Sequence, residues 1–229
     1  MCDHIVAVDG AYGALPEGRA SSRPDQADAI MLACESAGVG LTLHRPSDVW
    51  HGNEIEKRNH TLQLAAPMLE PGRDWVLVFD ADYHVLQIHP ERVRNMLATT
   101  DRDVATYTLL DGIDFSETKL AEYAAGRVID HEWTSRTRDV FRWLPDMRYE
   151  GTHYTISATR DDGTKAWLKG YDSTDVSYLE PALNLDDSLV VHHRSEHRSL
   201  KRRKQQDEYY ELRGRLQLEQ HPNLTGHAA

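Results

Sequence analysis

The stretch Trp75-Val76-Leu77-Val78-Phe79-Asp80-Ala81-Asp82 joins the most apolar segment of the chain to two acids. A continuous run of five apolar residues is typical of a strand that is covered on both faces. Open α/β folds bind ligands at the carboxyl ends of such strands. Because residues two apart on an extended segment point the same way, we expect both carboxylates to face one crevice. Such a pair favours Mg²⁺ or Mn²⁺, which also accept oxygens from a diphosphate.

A second pair with the same spacing, Asp101 and Asp103, follows two threonines and is typical of a surface turn. Asp-x-Asp is a weak pattern by itself, so the strand context carries the metal interpretation of Asp80 and Asp82. The alternative for that first pair is a solvated acidic loop after a strand.

Strand and helix patterns alternate from the first residues to about Leu110. We predict strands at 4–9, 39–43, 75–79 and 104–110, and helices at 27–37, 54–66 and 91–98. This alternation favours an α/β fold with a mostly parallel sheet flanked by helices. Beyond Leu110 we predict mixed strands and loops, then a long charged helix over about 199–219. We expect one domain over 1–229, with a nucleotide-binding half at 1–110 and an acceptor-side half at 111–229.

Composition narrows the function classes. The chain has 229 residues, a net charge of −11 and two cysteines. The charge disfavours indiscriminate binding to nucleic acid or anionic membrane. No apolar run approaches the roughly 20 residues of a membrane span, and two cysteines give no disulfide framework, so we expect a cytoplasmic protein. The basic stretch 192–204 predicts a discrete anionic ligand such as a diphosphate, and the alternative is a solvated helix face.

With these features the chain resembles nucleotide-sugar glycosyltransferases of the GT-A fold, in the inverting family 2 type. The similar blocks are VDGAY, EKRN, WVLVFDAD, the late segment from FR to RYEGTH, and LVVHHR, at residues 8–12, 56–59, 75–82, 141–153 and 189–194. The resemblance implies a Rossmann-like GT-A sheet, a divalent cation (Mn²⁺ or Mg²⁺) and a nucleotide-sugar donor, a UDP-sugar before others. The acceptor stays open between a protein, a glycan, a small molecule and a modified nucleic acid.

The resemblance also implies roles for residues of the nucleotide and metal site. Asp9 would accept a hydrogen bond from the nucleotide base, and its alternative is a turn closed on Gly10. Asp80 and Asp82 would hold the metal, with Asp80 also on the nucleotide side. His193 would be the third metal ligand, although the pattern also allows His192.

Lys57 and Arg58 are the expected contacts of the donor phosphates. Both lie in the first turn of a helix, where cations oppose the helix dipole, so an anion is expected nearby. The alternative is a surface cluster balanced by Glu54 and Glu56.

An inverting transfer needs a base within hydrogen-bond reach of the acceptor hydroxyl. Glu150 and His153 rank first among the candidates, ahead of Asp111 and Asp172. The acid that the family usually has after this histidine is replaced by Tyr154. An enzyme that retains configuration would need no such base.

The strand–helix unit that usually precedes the base-reading acid is missing before Asp9. A trimmed enzyme, a misassigned start codon or a second chain would each account for it, and an exposed sheet edge would favour pairing of copies. Two rival functions remain. One is a nucleotidyltransferase that makes nucleotide sugars, although the basic glycine-rich loop of that class is lacking. The other is a non-catalytic nucleotide-sugar-binding module.

Overall fold

The computed structural model describes residues 2–10, 20–51, 53–111, 134–151, 155–170, 178–193 and 204. The amino-terminal elements are β1 (His4–Val8), α1 (Pro24–Ala37), β2 (Gly40–His44), α2 (Glu54–Ala65), β3 (Trp75–Leu77), β4 (Tyr83–Ile88), α3 (Pro90–Thr99) and β5 (Val104–Asp111). Six strands follow in the later part: β6 (Thr134–Arg142), β7 (Arg148–Tyr149), β8 (Ile156–Thr159), β9 (Lys165–Lys169), β10 (Ala182–Asn184) and β11 (Leu189–His193). The helix predicted over 199–219 lies outside the described residues, apart from Lys204.

The three helices predicted before Leu110 are confirmed, with small shifts at their ends. α1 begins three residues early at Pro24, whose fixed φ suits the first helical position. It ends at Gly38, which has a φ of 65° and returns its N–H to the carbonyls of Cys34 and Glu35. The carboxylates of Glu54 and Glu56 lie in the first turn of α2, where the helix dipole favours them.

The main sheet has six strands in the order β3-β6-β5-β11-β4, and β10 also pairs with β5. β10 and β11 both run parallel to β5. The β3–β6, β5–β6 and β4–β11 pairs are antiparallel. The α/β class is therefore confirmed, but the prediction of a mostly parallel sheet is wrong. Two features explain the difference: β4 starts directly after Asp82 without a crossover helix, and antiparallel β6 lies between β3 and β5.

Two hydrophobic clusters cover opposite faces of this sheet. One contains Val104 and Phe141 and packs against α2 and the separate three-stranded sheet β7-β8-β9. The other contains Ala105 and Tyr107 and packs against Val93 of α3. Neighbouring residues of β5 thus point to different clusters, as the period of a strand requires.

The chain divides into two compact units, Met1–Val6 with Glu54–Glu196 and Ala7–Asn53 with His197–Ala229. The main sheet and the three-stranded sheet belong to the first unit, and α1 and β2 belong to the second. The expectation of one domain over 1–229 stays a prediction. Within the described ranges, no helix combines the length and the apolar character that crossing a membrane requires.

Candidate functional site

The two acids of the deciding stretch lie in a turn. Strand β3 ends at Leu77, and the N–H of Val78 still donates to the carbonyl of Asp139 at 2.8 Å. The N–H of Tyr83 then donates to the carbonyl of Asp80 at 3.0 Å, which closes a four-residue turn into β4. We call residues 80–83 the acidic turn. The expectation of an extended segment is wrong here, and the two carboxylates reach different partners.

Asp82 contacts His193. Its Oδ2 lies 3.1 Å from Nε2 of the imidazole, and the two side chains are 21% and 23% exposed. Strand register produces this contact, because His193 at the end of β11 lies opposite Tyr83, the residue after Asp82. The ring of Tyr83 packs edge-on against the imidazole at 5.3 Å between centroids. The neighbouring His192 is fully buried instead. The structure therefore brings His193, not His192, to Asp82.

Arg58 contacts the other acid of the turn. Its Nη2 donates to Oδ1 of Asp80 at 3.2 Å, and its Nε donates to Oε1 of Glu54 at 3.3 Å. The guanidinium also lies over the ring of Tyr149, 5.6 Å from the centroid. Asn59 fixes the backbone of Tyr149 by bonds to its carbonyl and from its N–H, at 3.0 and 2.7 Å. The anion expected near the start of α2 is thus provided by the protein itself.

Part of a divalent-cation site is in place at the acidic turn. Mg²⁺ usually takes one or two carboxylates and fills its other positions with water and substrate phosphates. Asp82 and His193 supply an oxygen and a nitrogen at one sheet end, and Asp80, two residues before Asp82, is 46% exposed. Among the described residues, no group of three or more His, Cys, Asp or Glu side chains is arranged to hold a metal. A cation here would thus depend on ligand oxygens to complete its coordination.

Asp9 lies in the second unit and is held by its own loop. Its carboxylate accepts hydrogen bonds from the N–H of Gly10 and from the N–H and hydroxyl of Ser22, at 2.7, 2.8 and 2.7 Å. Arg45 adds an ion pair at 3.5 Å. Burial acts to raise the pKa of Asp9, but the bonds from Ser22, Gly10 and Arg45 outweigh it and lower that pKa. A carboxylate has about four acceptor positions, so a nucleotide base would have to share or replace one of these contacts.

Glu150, the first candidate base, follows β7 and is paired with two cations. Its carboxylate accepts from Nζ of Lys165 at 2.6 Å and from Nε of Arg148 at 2.8 Å. The hydrogen bond from Lys165 is the largest cause that lowers the pKa of Glu150 to about 2. A carboxylate with so low a pKa is a weak base at neutral pH.

Other predicted site residues are only partly described or lie outside the described ranges. Lys57 is half-buried in α2. The backbone of Asp111 lies opposite His193 in the β5–β11 register. His153, Asp172 and the basic residues 194–203 lie outside the described residues.

A buried polar cluster near the acidic turn was not predicted from the sequence. Asp139 is 4% exposed, forms an ion pair with Lys169 and accepts a bond from the hydroxyl of Thr137 at 2.6 Å. The hydroxyl of the fully buried Tyr107 finds no hydrogen-bond partner among the described residues. Burial, and then the charges of Asp139, Tyr83 and Asp80, raise the pKa of Tyr107. The only available signal was an acid within a strand, directly before the apolar pair Val140-Phe141.

Two comparisons with known proteins were negative. No protein-family model matches the chain, and no curated protein matches it at a significant level.

Proposed function

We propose that this chain is a metal-dependent glycosyltransferase that moves a sugar from a nucleotide-diphosphate sugar, a UDP-sugar before others, to an acceptor. The contact of 3.1 Å between Oδ2 of Asp82 and Nε2 of His193 is the observation that carries the proposal. It joins a carboxylate of the acidic turn to an imidazole at the end of β11, at one end of the main sheet. Asp80, two residues before Asp82, pairs with Arg58, and these two residues add an acid and a cation that suit a metal–diphosphate ligand.

The described residues have separable tasks in this proposal. Asp82 and His193 would hold Mn²⁺ or Mg²⁺, and Asp80 would add an oxygen donor once its contact with Arg58 is released. A divalent cation held there would supply Lewis-acid stabilisation of the charge that develops on the departing nucleoside diphosphate. Arg58 and Lys57 then bind the phosphates. Tyr149 and Glu54 hold the guanidinium in place, which limits the entropy lost when it binds an anion.

The proposal extends to the finer features that the sequence predicted. These are a GT-A arrangement of the sheet, the division into halves at 1–110 and 111–229, base recognition by Asp9, a cytoplasmic location and pairing of copies through a sheet edge. The GT-A arrangement is supported by the mixed sheet and by the acids that follow one of its strands.

The catalytic base is His153 in this proposal if the transfer inverts configuration. Glu150 ranks behind His153 in this proposal, because it would have to separate from Lys165 and Arg148 before it could take a proton. The same ion pairs favour a second candidate function, a nucleotide-sugar-binding module without catalysis. The sequence prediction of a nucleotidyltransferase has no such observation behind it.

Calorimetric titration of the chain with UDP, with and without Mn²⁺, tests the proposal. We expect Mn²⁺ to strengthen UDP binding at least tenfold, and Asp82→Ala to remove that gain. Asp101→Ala is a matched control, because Asp101 belongs to the other Asp-x-Asp pair and its side chain is 87% exposed. UDP binding that is the same with and without Mn²⁺ in the unaltered chain would contradict a metal-dependent site.

A donor-hydrolysis assay with UDP-sugars then separates the candidate functions. Release of nucleoside diphosphate supports the transferase. A parallel incubation with UTP and a sugar 1-phosphate would identify a nucleotidyltransferase, which forms the UDP-sugar and releases pyrophosphate. Metal-dependent binding without any hydrolysis or transfer would indicate the binding module.

A further inference from the structure

A β-bulge in β6 lies next to the acidic turn. In the β5–β6 register, Ala105 lies opposite Val140 and Tyr107 lies opposite Thr137. Thr106 therefore faces two residues, Arg138 and Asp139. An extra residue of this kind breaks the alternation of a strand and re-aims a side chain.

The side chain that this bulge re-aims is Asp139, and it joins two sheets. Nζ of Lys169, the last residue of β9, bonds to Oδ1, and the hydroxyl of Thr137 donates to Oδ2. Asp139 belongs to the main sheet and Lys169 belongs to the three-stranded sheet. The side chains are 5% and 17% exposed, so the ion pair is largely screened from water.

The backbone of Asp139 holds the chain just before the acidic turn. Its carbonyl accepts the N–H of Val78 at 2.8 Å, one residue beyond the end of β3. Only Phe79 separates this bond from Asp80. The side chain of Val78 packs against the hydrophobic core, whereas Phe79 is 41% exposed and contacts the ring of Tyr83 in the acidic turn. The bond between Val78 and Asp139 fixes the backbone to β6 at the point where the turn starts.

A contribution to folding stability does not by itself explain why this ion pair is buried. Desolvation of two buried charges offsets most of their attraction, and apolar pairs of similar volume are often as stable. Breaking one side of such a pair, however, releases both partners from a defined geometry. The pair thus defines where the bulge lies between the two sheets.

We propose that Asp139 and Lys169 are positioning residues, and that their buried ion pair fixes the acidic turn in the geometry that binds a metal–diphosphate ligand. The ligand part of this statement rests on the proposed function. The positioning part concerns the turn itself and is measurable without any ligand.

Two changes break the pair, and one change serves as the control. Lys169→Met leaves Asp139 without its cation. Asp139→Asn with Lys169→Gln replaces both charges by amides, so no unpaired charge is buried if the single variant fails to fold. Lys165→Met is the matched control, because Lys165 is the other lysine of β9 and pairs with Glu150 instead.

The first measurement is amide hydrogen exchange by NMR on the ligand-free chain. We expect the amides of Val78 and Tyr83 to exchange about tenfold faster in the variants that break the pair, and at the unaltered rate in the control. A purely stabilising pair would speed exchange throughout β3, β5 and β6 alike. Unchanged exchange at Val78 and Tyr83 in the folded double variant, or an equal rise throughout the sheet, would overturn the proposal.

The second measurement is the affinity for UDP in the presence of Mn²⁺. We expect the dissociation constant to rise about tenfold in the double variant and to stay constant in Lys165→Met. An unchanged constant despite faster exchange of the turn would overturn the link between turn geometry and ligand. An unaltered chain that binds no UDP would contradict the proposed function instead, and the exchange measurement would still decide the positioning role.

Discussion

Asp9 and Asp80 each follow an apolar β-segment, yet their surroundings differ in how much of each carboxylate is already used. The carboxylate of Asp9 is 13% exposed and accepts three hydrogen bonds besides its contact with Arg45. The carboxylate of Asp80 is 46% exposed, and among the described residues its side chain accepts a single bond, from Arg58. The first acid is largely satisfied by protein donors, whereas the second retains acceptor capacity for a ligand.

The chain that follows each strand causes this difference. After β1, the chain returns to place Ser22 on the carboxylate of Asp9. Gly10 permits that path, because its φ is 98° and a Cβ there would lie 2.3 Å from the carbonyl oxygen of Ala20. After β3, the chain turns at once into β4 and donates no described backbone N–H to the carboxylate of Asp80. An acid at a strand end thus has more acceptor capacity for a ligand when its own loop leaves the carboxylate open.

Asp80→Asn tests the acid whose carboxylate is open to a ligand, and its effect on UDP affinity is the largest that we expect. We expect the affinity for UDP with Mn²⁺ to fall about tenfold or more, as for changes around other metal sites. The free energy of unfolding should change by less than about 1 kcal/mol, because the ion pair with Arg58 is half-exposed. Calorimetry and urea denaturation measure the two quantities. A large loss of stability with unchanged affinity would make Asp80 a structural residue.

Asp9→Ala tests the acid whose carboxylate is already bound by donors of its own loop. The N–H and hydroxyl of Ser22 and the N–H of Gly10 would lose a charged acceptor, so we expect the free energy of unfolding to fall by about 2 kcal/mol. Urea denaturation monitors the loss. Asp25→Ala is the control, since Asp25 is an exposed acid of the same unit and pairs with Arg23. A stability equal to that of the control, with weaker UDP binding, would favour base recognition over loop closure.

The local parts of the fold were predictable from sequence. The three helices follow from apolar spacing and from stop signals such as Gly38, which act on neighbouring residues, although the start of α1 at Pro24 was placed three residues too late. Strand β4 was not predicted, because the alternation of strands and helices indicated a crossover helix after Asp82. The mixed sheet could not be predicted, because the antiparallel placement of β6 depends on contacts between residues more than 60 positions apart, such as Trp75 with Arg142.

The candidate site was predictable as a set of residues but not as a set of contacts. Asp80, Asp82 and Arg58 were chosen from their strand and helix positions, and the structure brings two of them together. The choice between His192 and His193 needed the β4–β11 register, which no single segment contains. Asp139 escaped notice because its importance comes from Lys169, 30 residues later in another sheet.

Tyr107→Phe extends the comparison of Asp9 and Asp80 to a buried hydroxyl whose hydrogen-bonding capacity is unused by the described residues. Tyr107 is fully buried and its hydroxyl has no partner among the described residues. Such a group costs roughly 1–3 kcal/mol, so its removal should raise the free energy of unfolding by about 1 kcal/mol. Urea denaturation measures this, and Tyr178→Phe is the exposed control. A lower stability in Tyr107→Phe would show that the hydroxyl is bonded in the folded chain.

Glu150→Gln gives the smallest expected effect, and it is a change with pH. The folded chain lowers the pKa of Glu150 from 4.5 to about 2, with the hydrogen bond from Lys165 as the largest cause. A lowered pKa means that the stability supplied by this carboxylate is present above pH 4.5 and is lost as the pH falls towards 2. The stability difference between the unaltered chain and the variant should therefore shrink over that interval.

Urea midpoints across this pH range test the Glu150 prediction. In a Lys165→Met background the same substitution should have a weaker pH dependence, because the main cause of the lowered pKa is gone. A transfer rate that falls in Glu150→Gln, with an acidic limb near neutral pH, would contradict a carboxylate that is ionised down to about pH 2. Such a profile would restore Glu150 as the catalytic base, since a base must gain and lose its proton in the range where the enzyme operates.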